Sequence, residues 1–258
     1  MSAQELSGKI ALVTGSSRGL GRHYALHLAQ AGADVIIHDI NDTVAAEFGE
    51  APSGTAVAEE IRALGRRSVF IPADLSAPEQ AESLVQQALK EFGRIDILVN
   101  NAGGDIGART PRPNPNDALD ISVEDIRAVM DRNLLATMYM CKYVGSFMRD
   151  QQSGKIVNVG SSAGHTPVGG GIIYAAAKAG VSHYTACLAE QMRSFGVNVN
   201  CIAPAPTFTG RFSATRKVPD QSALPRLKQI AQPADMAKIV LFLAGSGADY
   251  LTGETIVC

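Results

Sequence analysis

The sequence has no tryptophan, no long apolar run and no excess of either charge. Its 23 Lys and Arg against 25 Asp and Glu leave a net charge of −2, with a pI near 6.2, which argues against a nucleic-acid or anionic-membrane surface. No apolar stretch approaches the eighteen or more residues of a membrane span. The N-terminus, Met-Ser-Ala-Gln-Glu-Leu-Ser-Gly-Lys, lacks the basic start and apolar core of a signal peptide. The four cysteines, Cys141, Cys187, Cys201 and Cys258, have no metal-type spacing. They read as reduced small hydrophobes of a cytoplasmic protein. No Pro/Ser-rich linker, charge block or repeat divides the chain, and at 46% hydrophobic residues it can bury a sizeable core. A single domain over residues 1–258 is expected.

Strand-like and helix-like runs alternate. Strands are expected at 10–14, 34–38, 68–71, 97–100, 155–160, 197–203 and 254–257, and helices near 19–30, 55–64, 78–92, 122–149, 174–194 and 233–244. Gly32, Gly65, Gly93 and Gly196 stand where helix C-caps are expected. Near-continuous Val/Ile/Leu strands indicate a parallel sheet covered on both faces. The fold class is α/β, a doubly wound sheet in three αβα layers, with ligands beyond the C-terminal ends of its strands.

Tyr174 and Lys178, four residues apart in Tyr-Ala-Ala-Ala-Lys, fall on one helix face. A cation beside a phenol favours phenolate, the route by which tyrosine becomes a general acid/base for an alcohol–ketone pair. Alone, the pair equally describes an amphipathic helix with a buried Tyr and a solvated Lys. Gly15, Gly19 and Gly21 follow the first strand as G-x-x-x-G-x-G and open a helix. Such a turn lets backbone approach a pyrophosphate at a helix N-terminus, or is an ordinary Gly-rich turn. Asp39 ends the second strand, where an acid accepts ribose hydroxyls and repels a 2′-phosphate, or caps the following loop.

Downstream come Asn100-Asn101-Ala102-Gly103, Asn133 and Gly160-Ser161. The order Thr-Gly-x-x-x-Gly-x-Gly, Asn-Asn-Ala-Gly, Asn, Ser, Tyr-x-x-x-Lys resembles the classical short-chain dehydrogenase/reductase family, over roughly residues 7–257. The resemblance implies a Rossmann-like fold and a nicotinamide cofactor. It implies that Ser161 binds the substrate oxygen, with Ser162 as the competing serine, and that Tyr174 exchanges the proton. Lys178 would lower the phenol's pKa and hold the nicotinamide ribose, and Asn133 would keep open a helix-distorting water site.

Cofactor contacts are implied for Gly15, Ser17, Arg18, Gly19 and Leu20 in the first turn, and for Asp39 and for Asp74 and Leu75 beside adenine. The Asn101, Ala102 and Gly103 turn either touches the ribose or only bridges strands. Pro204, Thr207 and Thr209 follow the sixth strand, with Ala205 where the family usually has glycine; a positive φ there would strain alanine. Asp39 points to NAD, with NADP less favoured, although Arg18 pulls the other way.

Segments 41–53 and 104–121 are longer than in a minimal relative. Prolines in the second forbid regular structure at the edge where substrate arrives. Arg109, Arg112, Arg211, Arg216 and Lys217 would together favour an anionic substrate, or be solvated. His165 could touch substrate or be an exposed loop residue. No metal site is expected. The expected activity is NAD-dependent interconversion of a small secondary alcohol and a ketone, by a homotetramer or dimer. The alternatives are an NADPH-dependent 3-oxoacyl-thioester reductase and a non-catalytic dinucleotide sensor.

Overall fold

The computed structural model describes residues 4–216, 220–222, 224–225 and 228–258. Seven parallel strands form one sheet: β1 (Ile10–Val13), β2 (Asp34–Asp39), β3 (Ser68–Pro72), β4 (Ile97–Asn100), β5 (Gly154–Val159), β6 (Val197–Ala203) and β7 (Thr255–Val257), in the order β3-β2-β1-β4-β5-β6-β7. The helices are α1 (Gly19–Gln30), α2 (Gly54–Ala63), α3 (Pro78–Phe92), α4 (Val123–Met130), α5 (Ala136–Gln151), α6 (Ile172–Met192), α7 (Gly210–Thr215) and α8 (Pro233–Ala244). The order reverses at β1/β4, which opens a crevice at the strands' C-terminal ends.

The strands are buried on both faces, and this explains their lack of alternation. Ala11 and Val13 pack with Tyr24, Leu28, Val240 and Leu243 of α1 and α8. Ile10 and Leu12 face the other layer, with Leu84, Met140, Val144 and Met148 of α3 and α5. Burying each such Leu or Ile contributes roughly 1.5–3 kcal/mol against leaving it exposed. A buried polar row crosses the second layer, where Asn100 Nδ2 donates to Asn158 Oδ1 (2.9 Å) and Asn158 Nδ2 to Thr185 Oγ1 (2.9 Å).

The expected continuous helix at 122–149 is broken. Residues Asp131–Leu135 form a π-turn between α4 and α5. Its cause is local: Asn133 Nδ2 donates to Val129 O, four residues back (2.8 Å), and Thr137 Oγ1 donates to Asn133 O (3.0 Å). Side chains inserted into the backbone ladder widen the turn.

Segment 41–53 contains a 3₁₀ helix, Asp42–Phe48, capped by Asn41 through the N–H groups of Thr43 and Val44. Among the described residues, Gln152 alone of the non-glycines has positive φ. Ala205 is therefore unstrained, and its N–H donates to Cys258 O. No described helix is long and apolar enough to cross a membrane.

Candidate active site

The turns after β1, β2, β3, β4, β5 and β6 surround a cleft of about 570 Å³. At its β1 end the backbone comes close to itself. Gly15 and Gly19 have φ of +61° and +56°, and a Cβ on Gly21 would lie 2.1 Å from Gly15 O. No side chain caps the N-terminus of α1, so its free N–H groups face the cleft as an anion site. Gly15, Arg18, Gly19 and Leu20 line this wall. Ser17 lies behind it, fully buried, and donates its hydroxyl to Asp39 Oδ2 (2.5 Å). The Ile40 N–H holds the other Asp39 oxygen (2.9 Å). The Ser17 side chain thus aims Asp39 and is not itself part of the cleft lining.

Arg18 is not a free arm. It pairs with Glu47 (2.9 Å), and its guanidinium carbon stands 4.6 Å from the centre of the Phe48 ring. Both partners come from the 3₁₀ helix that the sequence alone did not reveal. The same segment supplies Glu50, whose Oε1 accepts the Gly210 N–H (3.0 Å) at the start of α7.

His38, also missed from the sequence, fixes the first turn. Gly15 N donates to its Nδ1 (3.2 Å), and its Nε2 contacts Ala73 O (3.0 Å), an arrangement that requires the neutral Nε2–H form. Burial lowers its pKa below the ordinary 6.5, with the charges of Asp39 and Asp74 pulling weakly upward. A lowered folded pKa means the contribution to stability is whole above pH 6.5 and is lost as pH falls below it towards the folded value. The urea midpoint should therefore drop between pH 7.5 and pH 5, and His38→Gln, which offers the same acceptor and donor, should reduce that drop. An identical pH dependence in the variant would remove His38 from this role.

Asp74 and Leu75 line the cleft, as do Asn101, Ala102 and Gly103. Asn101 Nδ2 donates to Thr14 O (3.0 Å) and Gly15 O (2.9 Å), while Thr14 Oγ1 accepts from the N–H groups of Asn101 and Ala102. The Asn101 side chain thus bridges strands. Thr207 Oγ1 donates to Ala205 O (2.9 Å), and Thr209 caps α7; both line the cleft with Pro204.

At the middle of the cleft, α6 begins after Gly171 (φ +70°) and presents Tyr174 in its first turn and Lys178 one turn on. Ser161 ends the β5 turn; its hydroxyl accepts the Ala163 N–H (3.3 Å) and lies near enough to the Tyr174 phenol to draw its pKa down. No such influence on the phenol comes from Ser162, which favours Ser161 of the two. Lys178 is buried, its Nζ donating to Val159 O (2.7 Å) and standing 5.8 Å from the Tyr174 ring centroid.

Burial is the strongest influence on both groups. It raises the Tyr174 phenol, with Asp105 adding to the rise and Ser161, Arg211 and Arg216 opposing it. Burial also pushes Lys178 down to about 8. The expected depression of Tyr174 by Lys178 is thus not the governing effect here, because the ammonium is turned towards a backbone carbonyl and is itself disfavoured by burial.

Asn133 does not reach the cleft. It is fully buried, donating to Gly104 O (2.9 Å) and accepting from Gly104 N (2.9 Å), in addition to its bond to Val129. Its side chain clamps the loop after β4 to the π-turn. Gly103 leaves room for this clamp, since a Cβ there would lie 2.6 Å from Asn133 Oδ1.

The Pro-rich loop does flank the cleft, through Asp105, Ile106, Pro111 and Arg112. It is also tied to the catalytic helix, because Asn116 O accepts the Gly171 N–H (2.9 Å). Arg109 lies on the surface with Glu124 (3.1 Å), His165 contacts Ser182 (3.0 Å), and Lys217 lies outside the described residues. No group of three or more His, Cys, Asp or Glu among the described residues could hold a metal ion.

The dinucleotide implied by the motifs fits this wall. The uncapped helix end, glycines with no space for a Cβ, and a carboxylate held at the end of β2 match a pyrophosphate and a ribose diol in turn.

Comparison with known proteins agrees with the geometry. Residues 9–219 match the family model for short chain dehydrogenase. A cyclohexanol dehydrogenase from Rhodococcus sp. (strain TK6) is 40% identical, covering 97% of this chain and 94% of that protein. A 3-oxoacyl-acyl-carrier-protein reductase from Synechocystis sp. is 35% identical, over 97% and 95%. The solved structure of a 7 alpha-hydroxysteroid dehydrogenase, complexed with NADH and 7-oxo glycochenodeoxycholic acid, superposes with a TM-score of 0.86 at 27% identity, covering 99% of this chain and 94% of that one. The chain belongs to the short-chain dehydrogenase/reductase family and is an oxidoreductase acting on CH–OH groups.

Proposed function

We propose that the protein interconverts a secondary alcohol and a ketone with NAD, using Tyr174 as the proton exchanger. The observation that carries this reading is the convergence of Ser161, Tyr174 and Lys178 on one cleft that Asp39 also lines. When bound, the nicotinamide supplies the hydride acceptor or donor. In oxidation, the alcohol's O–H proton passes to Tyr174 Oη as the carbonyl forms. Ser161 holds the substrate oxygen and steadies charge developing on it. Lys178, its Nζ 5.8 Å from the centre of the phenol ring, adds positive charge that favours the anionic form more strongly as the cleft loses water.

The raised phenol pKa fixes the direction of the pH response. Alcohol oxidation needs phenolate and should climb through the alkaline range; ketone reduction needs the phenol and should fall there.

Asp39 favours NAD, and Arg18, engaged by Glu47 and Phe48, offers a 2′-phosphate little. The similarity to cyclohexanol dehydrogenase makes cyclic secondary alcohols the first to test. Reduction of NAD, followed by absorbance across an alcohol panel, is the expected result. Turnover confined to a 3-oxoacyl thioester with NADPH would replace this reading with the reductase alternative. Dinucleotide binding without turnover of any substrate would make the protein a sensor. The proposal extends to one domain over residues 1–258, a cytoplasmic setting, and a dimer or tetramer formed partly through the outer face of α5, where Phe147 is 45% exposed.

A further inference from the structure

The sequence places five basic residues near the substrate edge, and the structure separates them. Arg109 is on the surface with Glu124, and Arg112 Nε donates to Asp105 Oδ2 (2.9 Å). Arg216 stacks on Phe212, 5.0 Å from the ring centre, and is exposed to solvent. Arg211 differs from these. It rises from α7, crosses the cleft and donates Nη2 to two loop carbonyls, Asp105 O (3.0 Å) and Pro111 O (3.1 Å).

Its seat depends on Gly104, where a Cβ would stand 2.5 Å from Arg211 Nη1. Among the described residues no carboxylate pairs with Arg211, and its Nε and Nη1 hold no hydrogen bond. The guanidinium is partly buried, and desolvation disfavours the cation. Its charge reaches Tyr174, which it pulls towards phenolate.

A fixed, half-desolvated guanidinium whose Nη2 is spent on neutral carbonyls keeps its charge and leaves Nε–H and Nη1–H as donors for an anion. A charge-assisted bond from one of them to a carboxylate is stronger than a neutral one. We propose that Arg211 is the carboxylate subsite of the substrate cleft, so that the preferred secondary alcohol or ketone carries a carboxylate group. The inference rests on the dehydrogenase reading above. Oxidation then converts a hydroxy acid to a keto acid: the carbinol loses its hydride to the dinucleotide and its O–H proton to Tyr174, and the carboxylate is unchanged.

The dinucleotide's pyrophosphate is the other anion that could reach this guanidinium, and the test separates the two. With NAD saturating, kcat/KM is measured for hydroxycyclohexanecarboxylates, with the acid at each ring position relative to the carbinol, and for the matching neutral carboxamides. The best acid should exceed its amide by about 10- to 100-fold, the range of one or two charge-assisted hydrogen bonds. Arg211→Met should bring that ratio near unity, and Arg211→Lys, which keeps the charge but not the guanidinium's anchoring to the loop carbonyls, should fall between. NAD affinity, measured by calorimetric titration, should change less than about twofold.

A wild-type ratio near unity, or a ratio that survives in Arg211→Met, overturns the proposal. A tenfold loss of NAD affinity with the ratio intact overturns it too, and assigns the guanidinium to the pyrophosphate. If no alcohol is turned over, the dehydrogenase reading fails on its own. Calorimetric titration of cyclohexanecarboxylate against cyclohexanecarboxamide then still decides the subsite: tighter acid binding that Arg211→Met abolishes supports it, and equal binding overturns it.

Discussion

Tyr174→Phe is expected to lower turnover by about 100- to 10,000-fold, the range that a positioned general acid/base contributes. The substitution keeps the ring and its packing at the start of α6 and removes only the hydroxyl beside Ser161. The unfolding midpoint and the NAD affinity should therefore stay close to wild type while kcat and kcat/KM fall together, as happens when a group acting in the transition state is removed. Activity within a few-fold of wild type would exclude Tyr174 as the proton exchanger. The residual rate carries further information, because the pH dependence assigned to the phenol should disappear with it. A variant that retains the alkaline rise in oxidation would move that titration to another group, with Lys178 the first to examine because burial brings it to about 8.

The second large effect concerns cofactor choice. Wild type should favour NAD over NADP by about 10- to 1,000-fold in kcat/KM, with each 1.4 kcal/mol worth roughly tenfold. Asp39 is aimed by the Ser17 hydroxyl and the Ile40 N–H. With NADP, that fixed carboxylate would lose its ribose hydroxyl partner and face a phosphate, a juxtaposition of like charges that costs several kcal/mol. Asp39→Ser should narrow the preference to within about tenfold. Full reversal is held back because Arg18 is already paired with Glu47 and stacked on Phe48. Adding Glu47→Gln should free the guanidinium and raise efficiency with NADP a few-fold further. Equal or better kinetics with NADP in the unmutated protein would show that Asp39 does not govern the choice.

The sheet was legible in the sequence because its strands are short apolar runs closed by Gly or polar turns, and strands buried on both faces carry that pattern locally. All seven strands fall within a residue of the ranges read from sequence. The Ser161, Tyr174 and Lys178 grouping was legible for a related reason: two of its members share one helix face, and the third ends the neighbouring strand. What was not legible depends on contacts between distant segments. Nothing near Arg18 in the chain announces Glu47 as its partner, and nothing near Gly210 announces Glu50. Helical periodicity continues through the π-turn, so spacing alone does not show it; the resemblance implies a helix distortion at Asn133, and the structure has one there, with the side chain turned back on Val129 and across to Gly104. Spacing places the Lys178 ammonium near the phenol without showing how strongly burial acts on each. The role of His38 is not visible in its own neighbourhood, since its partners Gly15 and Ala73 belong to two other strand ends.

The tether between Glu50 and Gly210 has a mechanical consequence. α7 has no buried residue, so it is held by its threonine cap, by Glu50 from one bank and by Arg211 reaching to the other. The opposite wall, formed by the ends of β1 and β4, is part of the buried sheet. One bank of the cleft is therefore stiff and the other compliant. Segments with few buried apolar contacts open at a small fraction of the global unfolding free energy. Breathing of the cleft falls to the α7 bank, which leaves the spacing between Tyr174 and the glycine turn undisturbed while ligands come and go.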